Sequence, residues 1–195
     1  MSFQFILSCL YFFLPAYFTN MTPPLANRFN IFNFLDKPID FGKKFLAEPL
    51  LGSHKTWRGV ILGIIVGILI IWLQTWLYQF PSLKGISFIN YSQINILFFG
   101  FLISGGAIFG DLFFAFLKRR LKLKPGTKFL PFDQINYVIG SALFLTPFFK
   151  INILVCPPPI YGWWGVWITL IFLTFFLHII FNRIGYYLKF HQAKW

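Results

Sequence analysis

Residues 94–136 read INILFFGFLISGGAIFGDLFFAFLKRRLKLKPGTKFLPFDQIN. The first part of this stretch, 94–117, is apolar and long enough to cross a bilayer, for which about 20 residues suffice in helical form. One residue breaks the pattern: Asp111 sits 17 positions into the run. A carboxylate inside a membrane span is expensive and marks a functional site by default. Basic residues follow at once, at Lys118, Arg119, Arg120, Lys122, Lys124 and Lys128, and then a second acid, Asp133. The whole chain holds five acidic residues, so two at one locus carry information. Two acids among clustered cations are what a divalent metal and a polyphosphate require.

Outward from this stretch, the composition supports the same reading. Of 195 residues, 57% are hydrophobic and 11% charged, against about 25% charged in ordinary soluble domains. This predicts an all-α, polytopic membrane helix bundle, a single integral domain over 1–195. Only helices or closed barrels satisfy their backbone polar groups in lipid. Five spans are expected, at about 2–18, 59–80, 94–117, 135–156 and 161–181. The first lacks a basic leading region and a small-residue cleavage site, which predicts an uncleaved helix. The fourth reaches 156 with a kink at Pro147.

The loops orient these spans. Of 17 Lys and Arg, 15 fall in the first and third loops and the C-terminal tail. The positive-inside rule then places those loops and the C-terminus in the cytoplasm and the N-terminus outside. The net charge of +12 needs no nucleic-acid partner, because the basic residues sit in short loops flanking apolar spans. All five acids lie on the same side, so charged chemistry is expected to face the cytoplasm at the cell membrane.

Gly59, Gly63 and Gly67 in the second span, and Gly106 and Gly110 in the third, predict close helix packing. The aromatic residues are expected to be mostly lipid-facing, with Trp163, Trp164 and Trp167 in an outer belt and Tyr186, Tyr187 and Trp195 in an inner one. Cys9 and Cys156 read as buried small hydrophobes. His54, His178 and His191 show no metal-ligand spacing.

Asp111 and Lys118 are seven apart and share a helix face. Asp133 can return to the same mouth, since both ends of its loop emerge on one side. A metal bridging Asp111 and Asp133 would have all-oxygen ligands, suiting Mg²⁺. Equally, Asp111 could pair with Lys118, Arg119 or a basic residue of another helix. A second basic locus, LGSHKTWRG at 51–59, reads either as membrane anchors with an interfacial Trp or as a phosphate clamp.

The motifs PAYFTNMTPPLA, DKPIDFGKKF, LGSHKTWRG, GDLFFAFLKRRLKLKPG and PFDQINYVIG occur in one order. In this the chain resembles the CDP-archaeol synthase family, related to the phosphatidate cytidylyltransferases, over about 14–140. The last span fits that family's five-helix plan. The resemblance implies that CTP and a lipid phosphate give a CDP-lipid and pyrophosphate with Mg²⁺ as cofactor. It implies metal ligation by Asp111 and Asp133 and catalytic roles for Asp111, Lys118 and Asp133. It implies CTP or phosphate binding by Lys55, Thr56, Arg58, Lys118, Arg119, Lys128 and Asn136. Partners would be CTP, a membrane lipid phosphate of the archaetidic or phosphatidic type and the bilayer, with a homodimer as one option for assembly. Three positions depart from the family pattern: Ala115 stands for a serine, Asn136 for an aspartate and Phe129 for a tryptophan. Asn136 offers a neutral carbonyl but one charge fewer, which would weaken a second metal. Two rival readings remain: a lipid-binding scaffold that has lost turnover, and a small anion transporter. The absence of an internal repeat weighs against transport.

Overall fold

The computed structural model describes residues 2–123, 127, 129–150 and 159–187, the side chains of 150, 181, 182 and 184–187 excepted. Among them are six α-helices: α1 (Phe3–Arg28), α2 (Trp57–Leu77), α3 (Pro81–Gly85), α4 (Ile96–Arg120), α5 (Phe132–Lys150) and α6 (Gly162–Tyr187). The segment between α1 and α2 adds a 3₁₀ turn, Asn33–Leu35, and a small antiparallel hairpin, β1 (Lys44–Phe45) with β2 (Glu48–Pro49), in which Phe45 faces Glu48. Helices α1, α2, α4 and the Gly162–Ile180 part of α6 are long and apolar enough to cross a membrane. The protein is an integral membrane helix bundle. The segment expected as the fourth of five spans is α5, 19 residues long with Pro147 inside it. Its expected extension to 156 lies outside the described residues, as do Lys128 and Cys156.

The first helix is longer than its sequence suggests. It was expected to end at 18, yet it runs to Arg28 through Pro15, Pro23 and Pro24. A proline removes the donor to the carbonyl four residues earlier. For Pro15 that carbonyl belongs to Tyr11, and buried Gln74 of α2 supplies the missing donor, Nε2 to O at 2.5 Å. Pro23 needs no such repair to be useful: its ring packs against Gly59 at the start of α2. Neighbouring helices compensate a membrane proline in this way.

The glycine stripes pack as expected. Gly63 and Gly67 of α2 meet Thr19 of α1 and Ile108 and Ser104 of α4. Thr19 Oγ1 donates to Gly63 O at 3.0 Å, an interhelical hydrogen bond of the kind that substitutes for the absent hydrophobic effect in lipid. The closest backbone approach at these glycines is between α4 and α5. A Cβ on Gly140 would lie 2.1 Å from Gly106 O, and one on Gly110 would lie 2.2 Å from Asn136 O. The two backbones touch, and no side chain fits between them.

One end of the bundle is filled by aromatic rings. Phe12 of α1 is 1% exposed and contacts Phe88, Phe99, Phe149, Trp163 and Trp167. The expected outer belt is therefore split. Trp164 is exposed as foreseen, but Trp163 stacks on Phe149 at 3.6 Å and Trp167 is buried, with Nε1 donating to Thr146 Oγ1. Both rings pack on protein partners, Trp167 fully buried and Trp163 partly so.

Gly140→Ala should lower stability by about 1–3 kcal/mol, because the methyl group would force α4 and α5 apart. Gly105→Ala, where a Cβ meets nothing within 4 Å, should leave thermal unfolding in detergent unchanged.

Candidate active site

The α4–α5 contact places the acids. Asp111 follows Gly110 directly, and Asn136 lies opposite Gly110 across the helix interface. Asp133 sits in the first turn of α5, where the helix dipole favours negative charge. This turn begins three residues before the span expected from hydropathy, so Asp133 is held by a helix and not by a loop. Its Oδ2 accepts from Phe129 N at 2.9 Å, a further restraint. Lys118 and Arg119 lie in the last turn of α4, where cations are favoured.

The third wall comes from the segment before α2. An isolated bridge pairs Pro38 with Thr56, with Ile39 N donating to Lys55 O at 2.9 Å and Trp57 N to Lys37 O at 3.0 Å. Thr56 caps α2, its hydroxyl accepting from Gly59 N. Lys55 is thereby pinned immediately before the helix and reaches Asp111, Nζ to Oδ2 at 2.6 Å.

Two ion pairs result. Lys55 holds Asp111, and Lys118 holds Asp133 through both carboxylate oxygens at 3.0 and 2.9 Å. Of the two pairings open in the sequence, Asp111 takes a base from outside its own helix, while Lys118 turns to Asp133. The Asn136 amide also approaches Asp111 Oδ1, at 3.4 Å. The carboxylates are about one-third exposed, at 31% and 30%. Pairs this accessible are worth roughly 0–1 kcal/mol, so an incoming anion or cation can replace either partner at little cost.

Both pairs line one cavity of about 170 Å³, together with Leu51, Gly52, His54, Ala115, Arg119 and Asn136. Arg119 is 7% exposed. It donates to Leu123 O, and its Nε is buried without a partner. Ala115 presents only a methyl group to the cavity.

Arg58, expected as a phosphate ligand, is drawn elsewhere. It is 3% exposed and donates to Asn33 Oδ1 and Asn27 Oδ1, with Asp36 at 2.9 Å. It ties the end of α1 and the 3₁₀ turn to α2. Thr56 likewise serves as a cap and does not line the cavity. Lys128 is outside the described residues. Conversely, the cavity includes His54, Leu51 and Gly52, which sequence reading passed over. His54 has no metal-ligand spacing, and its place beside Lys55 in LGSHKTWRG is the available signal.

Comparison with known proteins bears on this arrangement. The CarS-like CDP-archaeol synthase family model matches residues 2–195. The chain belongs to the CDP-archaeol synthase family. Relatives named CDP-archaeol synthase include one from Methanococcus maripaludis strain C5, 32% identical over 194 residues and covering 97% of both chains. Another, from Pyrobaculum islandicum, is 32% identical over 190 residues, covering 95% of this chain and 98% of that one. A third, from Archaeoglobus fulgidus, is 32% identical over 194 residues, covering 97% and 98%. A solved structure described as an intramembrane enzyme for archaeal membrane lipid biosynthesis shares the fold, with a TM-score of 0.65 at 23% identity over 89% of this chain and 91% of that one.

The family's CDP-lipid chemistry raises the question of a metal. Among the described residues, no group of three or more His, Cys, Asp or Glu gathers, so a closed all-protein cage is absent there. Two carboxylates beside one amide in a single cavity nevertheless fit a hard, octahedral ion. Such an ion needs only one or two protein carboxylates when water and phosphate complete its shell.

Arg58→Ala should cost about 2 kcal/mol of stability, from loss of its charge-assisted hydrogen bonds. Nucleotide affinity of the folded fraction, measured by titration in detergent, should stay at the wild-type value.

Proposed function

We propose that this protein is a CTP-dependent cytidylyltransferase that converts a lipid phosphate, of the archaetidic acid type, to a CDP-activated lipid with release of pyrophosphate. The observation that supports it most is the cavity holding Asp111, Asp133, Lys55, Lys118 and Arg119 together in a member of this family. The length of α5, 19 residues rising about 28 Å as a helix, supports its reading as the fourth of five spans beside the four described helices long and apolar enough to cross. Charge asymmetry supports a cavity that opens on the cytoplasmic face of the cell membrane, where CTP is available.

The reaction asks little of the side chains as acids or bases. A lipid phosphate is already largely dianionic at neutral pH, its second pKa lying near about 6. Its oxygen attacks the α-phosphorus of CTP, and the bond to the β-phosphate oxygen breaks, carrying the electron pair to pyrophosphate. What remains is to hold two anions in contact and to stabilise the leaving group. Lys55 and Lys118 exchange their carboxylates for phosphate oxygens. Arg119 has an unpartnered Nε in the cavity wall and contributes a planar, permanently charged donor. Asp111 and Asp133, released by the lysines, would hold Mg²⁺, with Asn136 beside Asp111. The ion would supply charge neutralisation at the phosphates. The lipid tails remain in the bilayer while the headgroup meets the cavity at the rim. The rings around Phe12 fill the opposite end of the bundle, which favours this reading over transport.

Purified protein in detergent, given radiolabelled CTP, Mg²⁺ and a panel of phosphatidic acid, unsaturated archaetidic acid and undecaprenyl phosphate, should label a lipid. Unsaturated archaetidic acid is the expected best substrate, and Asp111→Asn should reduce turnover by at least about 100-fold. Protein that is folded, binds CTP and labels none of these lipids would contradict the assignment.

A further inference from the structure

Arg119 and Arg120 are adjacent on α4 but point to different tasks. Arg119 lines the cavity, whereas Arg120 turns to the hairpin between α1 and α2. Its Nη1 donates to Phe45 O, and its Nη2 donates to Glu48 O at 3.3 Å and Pro49 O at 2.7 Å. The guanidinium also lies 5.2 Å from the Phe45 ring and 5.1 Å from the Phe116 ring, between the hairpin and α4. Three backbone carbonyls and two aromatic faces are thus held by one side chain.

A second residue fastens the base of the same segment. Asp40 is 6% exposed. Its Oδ1 accepts from Gly42 N at 3.0 Å, and its Oδ2 from Leu51 N at 2.9 Å and Gly52 N at 3.3 Å. The carboxylate therefore joins the two ends of the strap 40–52. Burial acts to raise its pKa, but the N–H groups of Leu51, Gly42 and Gly52 prevail and leave it lowered. This stabilisation is present above the ordinary carboxylate value, about 4, and is lost as pH falls through the lower folded value.

The strap matters because its end is a cavity wall. Leu51 and Gly52 line the cavity. Gly52 has φ of +105°, which a side chain would strain, and its Cβ direction faces Arg119 Nε at 3.9 Å. Arg120 and Asp40 fix this wall from outside, and neither lines the cavity. The wall belongs to the segment between two spans, whose tip exposes Lys43 and Lys44 beside Phe41, Phe45 and Leu46. Cations beside apolar side chains suit the membrane–water interface, where a nucleotide arrives from water while a lipid substrate keeps its tails among the helices.

We propose that Arg120 and Asp40 are positioning residues that hold the strap 40–52 as the nucleotide-side wall of the cavity, and so set the affinity for CTP without contacting it. The proposal rests on the cytidylyltransferase reading for its substrate. A lysine cannot replace Arg120, since a point charge does not serve three carbonyls and two rings.

Steady-state kinetics of Arg120→Ala, Arg120→Lys and Asp40→Asn test this beside limited trypsin cleavage after Lys43 and Lys44. Both arginine variants should raise KM for CTP about 10-fold, with kcat and KM for the lipid phosphate within about threefold of wild type. Asp40→Asn, which keeps one acceptor oxygen, should show a smaller rise in the same parameter. CTP with Mg²⁺ should slow trypsin cleavage of the wild-type strap and fail to slow it in Arg120→Ala. Folded variants with an unchanged KM for CTP would overturn the proposal, as would equal losses in both KM values. Cleavage of the wild-type strap that CTP leaves unaltered would overturn it independently of turnover. Wild-type turnover, measured first, tests the enzymatic reading on its own.

Discussion

Backbone contact between α4 and α5 is the constraint on which the site depends. Gly106, Gly110 and Gly140 leave no room for a Cβ at the crossing, so the relative position of the two helices is set by main-chain atoms rather than by flexible side chains. Asp111 follows one of these glycines, and Asp133 and Asn136 lie within two turns of another. The carboxylates are therefore placed by the stiffest part of the bundle, as a site that must hold geometry to a fraction of an ångström requires. Glycine also removes bulk that lipid-phase association would otherwise have to accommodate.

Around this fixed core, cations come from two different places: Lys55 from the segment before α2, and Lys118 and Arg119 from the end of α4. The lysines neutralise the acids. This solves the problem of a half-buried carboxylate in a membrane protein while keeping both partners available. The opposite end is packed with aromatic rings, so the charged cavity lies at one end only of the bundle as described. A reaction between a soluble nucleotide and a lipid headgroup needs that asymmetry, because one substrate stays in the bilayer and the other stays in water.

The sequence displayed the acids more clearly than their partners. Asp111 stands out because a charge in an apolar run is a local signal, and Asp133 because acids are scarce. The ion pair between Lys55 and Asp111 spans 56 positions and has no local signature. Lys55 and Arg58 look equivalent in LGSHKTWRG, and only tertiary contacts with Asn27, Asn33 and Asp36 turn Arg58 away from the cavity. The length of α1 was hidden for a similar reason. Proline reads as a stop, and Pro23, beyond the expected end at 18, packs on Gly59, far along the chain. Trp163 and Trp167 show a further limit. Lipid and protein interior are both apolar, so hydropathy cannot tell a belt residue from a core residue.

The central claim is that Asp111 and Asp133 serve one site as a unit. The most direct measurement is kcat/KM for Asp111→Asn, Asp133→Asn and the double variant, with CTP and the preferred lipid phosphate. If both acids act on one charge cluster, the double variant should be no more than a few-fold worse than the worse single variant, the non-additivity expected of groups acting together. Losses that multiply in the double variant would show two independent roles and contradict the shared site.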